Sequence, residues 1–391
     1  MSRRDAIFVL LTNQVGLGVL SLPGVLKTLG LVPGTVTIIG LGCLSWYTAF
    51  QLKLFYDRHP HVLNIVDMAR IVGGRGFACV TAFGMLLLVV MTAASASVTF
   101  SVALSLLSDD ALGSTAFIGI GCICCWILCV PRTARFVSQS GIPSCISILA
   151  ATIVVIAALG AGKPVNAPAE WRRAPVWFAN PSFRDGLNAC LKICYAFSGN
   201  VSFVSYMAEM TNPQRDFNAA LAWLEASSIG FYVFVAVSIY CLAGEYTTSP
   251  ALGSAPGTLA QIAYGLVIPS VLSKGLAFGH TGIKFVYVEV MKHYASPRQF
   301  WTLSFVLSIA IPVFDSIVSM TSAVTIAWFS FGISAIVSLH MNVKFCSWQN
   351  ASLTLFNSLL IIGSLFLNGA GLWSSTTELN DALVSRGDDV G

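Results

Sequence analysis

Residues 6–30 form one apolar stretch long enough to cross a bilayer, yet its middle reads GLGVLSLP at 16–23. Two glycines, a serine and a proline at that depth interrupt the helix that hydropathy otherwise demands. A second stretch, 187–210, carries a similar fault, FSGNVSF at 197–203. Hydrocarbon offers the backbone no hydrogen-bond partner. Irregular backbone therefore persists at membrane depth only where protein buries it or where it lines a cavity. Two such faults, one in each half of a chain, point to the binding site of a secondary transporter.

Composition supports a membrane class. The chain is 56% hydrophobic and 10% charged, with a mean hydropathy of +0.79, whereas soluble domains carry about 25% charged residues. Eleven apolar stretches are readable, at 6–30, 34–56, 77–107, 114–130, 139–160, 187–210, 219–243, 264–291, 299–314, 318–340 and 351–373. They predict an all-α membrane protein of about eleven transmembrane helices, with 1–391 as a single transporter domain. Five spans per half forces opposite topology on the halves. That predicts a 5+5 inverted repeat, 6–160 and 187–340, with 351–373 as an extra helix. A net charge of +4 gives no reason to expect nucleic acid. The cysteines fall in or beside the spans, with no His or carboxylate next to the cluster Cys122, Cys124, Cys125 and Cys129. They read as soft packing residues, and no metal or cofactor is expected.

Lysine and arginine placement sets the orientation. With the N-terminus in the cytoplasm, inner segments hold twelve basic residues and outer segments five, the bias expected of cytoplasmic loops. The C-terminus is then extracytoplasmic. Between the second and third spans, Val62, Ile65, Val66 and Ala69 recur at helical spacing, an amphipathic piece suited to the interface or to plain packing.

The residues at the breaks suggest their chemistry. Ser21 is placed to cap a new half-helix, and Pro23 fits its first turn. The free N–H groups and positive dipole end of that half-helix suit a carboxylate. Gly16 and Gly18 let the backbone open and a ligand approach, and Asn13 lies one turn before them. In the sixth span Phe197, Ser198, Gly199 and Asn200 occupy the corresponding break. A site for both a carboxylate and an amine suits a zwitterionic amino acid. Charged residues within spans face cavities more often than lipid, because their insertion costs about 2.5–3.5 kcal/mol at mid-bilayer. Lys284 is the leading candidate for ion coupling, with His280 one turn earlier and Glu209 as a rival. Lys274, Lys192 and Glu225 read as nearer span ends, where long side chains snorkel.

These residues also carry a resemblance. GLGVLSLP followed by GLVPG (30–34), YMAEMTNPQRDF (206–217), GHTGIKFVYV (279–288), IPVF (311–314) and AWFSFGIS (327–334) together resemble the amino acid/auxin permease family, in particular its fungal neutral amino acid permeases. The matched positions are Gly16, Gly18, Leu20, Pro23, Glu209, Pro213, His280 and Lys284. The resemblance implies an eleven-span fold of the inverted-repeat transporter type and proton- or sodium-coupled amino acid uptake. The chain departs from fungal relatives at Gly199-Asn200, where they often carry Gly-His.

The expectation is a transporter rather than an enzyme: a symporter for neutral aliphatic or aromatic amino acids, working by alternating access. Protons are favoured over sodium, with the Lys284 ammonium standing where a sodium ion would lie between spans one and eight. The expected partners are an amino acid, the coupling ion and the lipid bilayer, and the plasma membrane is favoured over the vacuolar membrane. The alternative is a membrane sensor that binds amino acids without transport; the few residues before the first span favour transport.

Overall fold

The computed structural model describes residues 3–109, 111–130, 134–165, 167–168, 170–285, 297–311, 313–342 and 348–388. These residues are helical, with irregular connections. The first span is α1 (Arg3–Gln14), a 3₁₀ turn (Leu17–Ser21) and α2 (Leu22–Leu29). There follow α3 (Leu31–Arg58), α4 (Ile65–Leu107), α5 (Ser114–Leu128) and α6 (Ala134–Ala161). The sixth stretch is α7 (Phe183–Ala196) and α8 (Asn200–Met207). Beyond it lie α9 (Pro213–Ala243), α10 (Gly257–Phe285), α11 (Pro297–Ala310), α12 (Phe314–Thr321), α13 (Ser334–Asn342) and α14 (Trp348–Asp388). Among the described residues eight helical runs are long and apolar enough to span a bilayer, and Ser114–Leu128 is a shorter apolar helix. The protein is an integral, multi-pass, all-α membrane protein.

Burial orders the bundle. The most apolar window of the first span is 83% buried inside the protein, against 17% for that of α14. The broken span is therefore central and the last helix peripheral, with Leu355, Leu359, Ile362 and Phe366 exposed in the pattern of a lipid-facing surface. α1 packs against α6, α9 and α10, and α2 against α3, α7 and α9.

Three boundaries differ from the hydropathy reading. In the piece at 62–72 the apolar face packs into the protein: Val62, Ile65, Val66 and Ala69 are fully buried. From Ile65 on it is the first part of α4, capped by Asn64, whose Oδ1 accepts from the N–H groups of Val66 and Asp67 at 2.9 and 3.0 Å. It is set off from the rest by a kink at Gly74, whose φ of 70° favours glycine. The eighth and eleventh helices are also longer than their apolar cores, starting at Gly257 and ending at Asp388 respectively. In the tenth stretch, π-helical turns at Ser322–Ile326 and Trp328–Ile333 separate α12 from α13. Such turns are rare and gather at functional sites.

Candidate functional site

The two interrupted spans meet at their interruptions. α1 stops at Gln14 and the chain turns extended at Gly16 (φ −174°, ψ −128°) before the 3₁₀ turn. α7 stops at Ala196, and three residues pass before α8 begins. The contact is close: a Cβ built on Gly18 would lie 2.5 Å from the Cα of Ala196. Asn13 Nδ2 donates to the Gly199 carbonyl at 3.3 Å. From α9, the buried Tyr232 hydroxyl reaches the carbonyls of Gln14 at 2.9 Å and Ala196 at 3.0 Å. Those carbonyls belong to the last residues of the two half-helices, whose intrahelical acceptors run out there. One phenol thus serves both helix ends, and Phe197 stacks edge-on against its ring at 5.1 Å.

A prediction follows from this bridge. Tyr232→Phe keeps the ring packing but removes the donor. It leaves two buried carbonyls unserved, at a cost of about 1–3 kcal/mol. Its melting temperature in detergent should fall below wild type; an unchanged melting curve would mean the bridge holds nothing.

The break residues divide by what they touch. Asn13, Ser21, Ser198 and Asn200 are all fully buried. Ser21 does not cap α2 with its side chain: its hydroxyl turns back to the Gly18 carbonyl at 2.9 Å. The 3₁₀ turn runs straight into α2, so the place an N-cap would occupy is already inside a helix. Pro23 does stand in the first turn of α2. Asn200 spends its amide on α3, donating to the Ser45 carbonyl at 3.1 Å and to Thr48 Oγ1 at 2.9 Å. Ser198 Oγ and Asn13 Oδ1 are buried without a protein partner. With the N–H groups that open the 3₁₀ turn, they are among the uncommitted polar groups at the break, with Ser202 Oγ and Gln14 Oε1. The buried Phe197 ring packs between Tyr232 of α9 and Gly42 of α3.

The ionisable residues are arranged differently from the sequence expectation. Lys274 is not near a span end. It lies well inside α10, fully buried, and its ammonium donates to the Asn13 carbonyl at the end of α1. Its Nζ also sits 4.8 Å from the Phe278 ring centroid, a cation–π contact. A Cβ on Gly16 would lie 3.3 Å from its Cδ, so the glycine makes room for the lysine stem. The lysine that this structure places where spans one and eight cross is Lys274. The side chain of Lys284, one helical stretch further on, lies outside the described residues. His280 and Glu209 meet elsewhere, lining a cavity of about 130 Å³ with Tyr206 and Asn64 at the N-terminal end of α4. Glu225 is fully buried as well, and Gln14 Nε2 donates to its Oε2 at 3.0 Å.

At the other end of the half-helices, Lys192 of α7 does not snorkel. It pairs with Asp315 of α12 at 3.0 Å and Glu378 of α14 at 3.4 Å. Ser249 Oγ donates to the second oxygen of Asp315 at 2.5 Å. Lys27 of α2 donates to the Thr247 carbonyl at 3.2 Å. These groups line a cavity of about 470 Å³ above α2.

A central broken helix, a second one against it and a buried ammonium at the crossing define a membrane transporter of the broken-helix class. Residues 1–279 match the family described as "Transmembrane amino acid transporter protein", and the chain belongs to that family. The N amino acid transport system protein of Neurospora crassa is 25% identical over 95% of this chain and 84% of that protein. A protein described as a transmembrane transporter, from Gibberella moniliformis, is 24% identical over 98% of this chain and 85% of its own length. Among solved structures, MhsT in complex with L-phenylalanine superposes with a TM-score of 0.64 at 13% identity, covering 95% of this chain and 97% of that one. The fold is therefore shared with MhsT.

Proposed function

We propose that this chain is a proton-coupled symporter that imports neutral amino acids by alternating access around the two breaks. The observation that carries the coupling is the Lys274 ammonium on the Asn13 carbonyl. Carbonyls at the end of a half-helix present negative dipole ends, which in transporters of this architecture coordinate a cation. Here a side chain supplies the cation. Proton loss from Lys274 removes the charge that holds α1 to α10, as the departure of a bound sodium ion would. The role first read for Lys284 passes to Lys274, and His280 and Glu209 line a path on the N-terminal side.

The substrate class follows from the uncommitted groups. Asn13 Oδ1 and Ser198 Oγ suit an ammonium, and the N–H groups of the 3₁₀ turn suit a carboxylate. Lys274 and Glu225 are already engaged with α1. That favours a neutral side chain, consistent with the phenylalanine held by MhsT. In this proposal the units 6–160 and 187–340 are the inverted repeats, 351–373 stands outside them, and the N-terminus is cytoplasmic in the plasma membrane.

The test is uptake of radiolabelled L-leucine and L-phenylalanine into proteoliposomes under separate pH and sodium gradients. Accumulation under an inward proton gradient in sodium-free buffer is the expected result. Accumulation driven by sodium alone would overturn the lysine assignment while leaving the fold intact. Binding without transport under either gradient would establish a sensor instead.

A further inference from the structure

Glu225 is the other ionisable group at the hinge, and the coupling described above does not use it. It sits well within α9 with no exposed surface. Its surroundings are specific. From α1 comes the Gln14 amide, donating to Oε2 at 3.0 Å. From α3 comes the Ser45 hydroxyl, and from α9 itself the Tyr232 phenol. Cys145 of α6 stands behind that phenol. Lys274 is committed to the neighbouring Asn13 carbonyl. Among the described residues no lysine, arginine or histidine forms an ion pair with Glu225.

The Ser45 hydroxyl near the carboxyl is turned to Asn200 Oδ1 at 3.4 Å, so the Gln14–Glu225 pair holds more buried acceptors than donors. Gln14 gives one N–H to the carboxyl. The remaining oxygens, Glu225 Oε1 and Gln14 Oε1, are both buried acceptors without a partner. A carboxylate is acceptor-only, whereas a carboxylic acid adds one O–H donor. A lone buried carboxylate is also among the costliest groups to keep from water. Both arguments favour the acid while Gln14 is docked. Gln14 is the last residue of α1, so any swing of α1 about the break carries it away and opens Glu225 to the N-terminal side.

We propose that Glu225 is a proton-binding site of the transport cycle, loaded while α1 is docked and emptied to the N-terminal side when α1 swings out. This rests on the proton-symport reading above and adds a second carrier to it. Asn13 and Gln14 are consecutive. Lys274 holds the backbone of the first and Glu225 the side chain of the second. Proton state on either flank thus bears on the same last turn of α1, and the release direction matches import.

The experiment uses the full chain in liposomes with radiolabelled L-leucine and L-phenylalanine. It reads accumulation under a pH gradient and the pH dependence of substrate exchange. Glu225→Gln mimics the neutral acid and has no proton to release. It is expected to lose gradient-driven accumulation, which for one proton per substrate is worth about tenfold per pH unit. Its exchange rate should become flat with pH, whereas that of the wild type is expected to vary. Glu225→Asp keeps an acid, one carbon shorter, and is expected to retain accumulation with a displaced pH midpoint. If Glu225→Gln fails to yield folded protein, the aspartate variant decides: an unmoved midpoint overturns the assignment. A wild type indifferent to the pH gradient overturns both readings. A wild type and Glu225→Gln driven equally by it overturn this one alone.

Discussion

Lys274→Met should abolish accumulation of neutral amino acids under a pH gradient in proteoliposomes, and Lys274→Arg should fail to restore it. Methionine fits the space between Gly16 and the Phe278 ring, where a thioether packs well. It removes the charge and leaves the Asn13 carbonyl without its donor, a penalty of about 1–3 kcal/mol against the docked position of α1. That corresponds to roughly a five- to 150-fold shift in the equilibrium on which transport turns. Arginine keeps the charge but does not deprotonate in proteins. It should support substrate binding with little pH dependence and no accumulation. Two readouts check this: uptake against gradient size, and binding measured by scintillation proximity across pH. A Lys274→Met protein that accumulates substrate like wild type would sink the proposal that this ammonium replaces a bound cation. The contrast between the two variants matters, because a purely structural lysine would be rescued by arginine.

Much of this architecture was legible in the sequence because lipid leaves few alternatives. Apolar length locates the spans, and Gly16, Gly18 and Pro23 at mid-depth have no reason to be there in an unbroken helix. The depth of individual side chains was harder. Within the expected eighth span, 264–291, Lys274 already stood nearer the middle than Lys284, so reading it as close to a span end misjudged its depth, and the helix begins earlier still, at Gly257. Polar residues at its start, Gln261 among them, hide the early turns from hydropathy. The same error hid Glu225: the seventh helix begins at Pro213, six residues before its apolar run. Side-chain direction was not legible either. Asn200 and Ser21 are correctly placed at breaks, yet one turns to α3 and the other to its own turn, which only packing decides. Tyr232 carried no signal at all. In an apolar stretch a tyrosine reads as a large hydrophobe until its hydroxyl is seen on two helix ends.

Gly18→Ala should be strongly damaging, because it strikes main chain where the two breaks meet. Its Cβ would fall 2.5 Å from the Ala196 Cα and 3.1 Å from the Ala196 nitrogen, distances that a backbone obstacle does not relieve by rotamer change. Overpacking of this kind costs about 1–3 kcal/mol even where neighbours can yield. Here the neighbour is main chain at the end of α7. Separating the two breaks to fit the methyl also lengthens the Asn13 bond to Gly199 and strains the two bonds of Tyr232, so the loss extends from packing to the hinge itself. Gly40→Ala is the matched control. A Cβ there meets nothing within 4 Å, and alanine is the better helix former. In detergent melting and proteoliposome uptake, Gly18→Ala is expected to lose both stability and transport, and Gly40→Ala neither. A compensating Ala196→Gly should not rescue it, since the nearest obstacle is the Cα that glycine retains. Rescue by that second change would instead mean that the Ala196 side chain sets the contact and that the two breaks are less tightly joined than this packing requires.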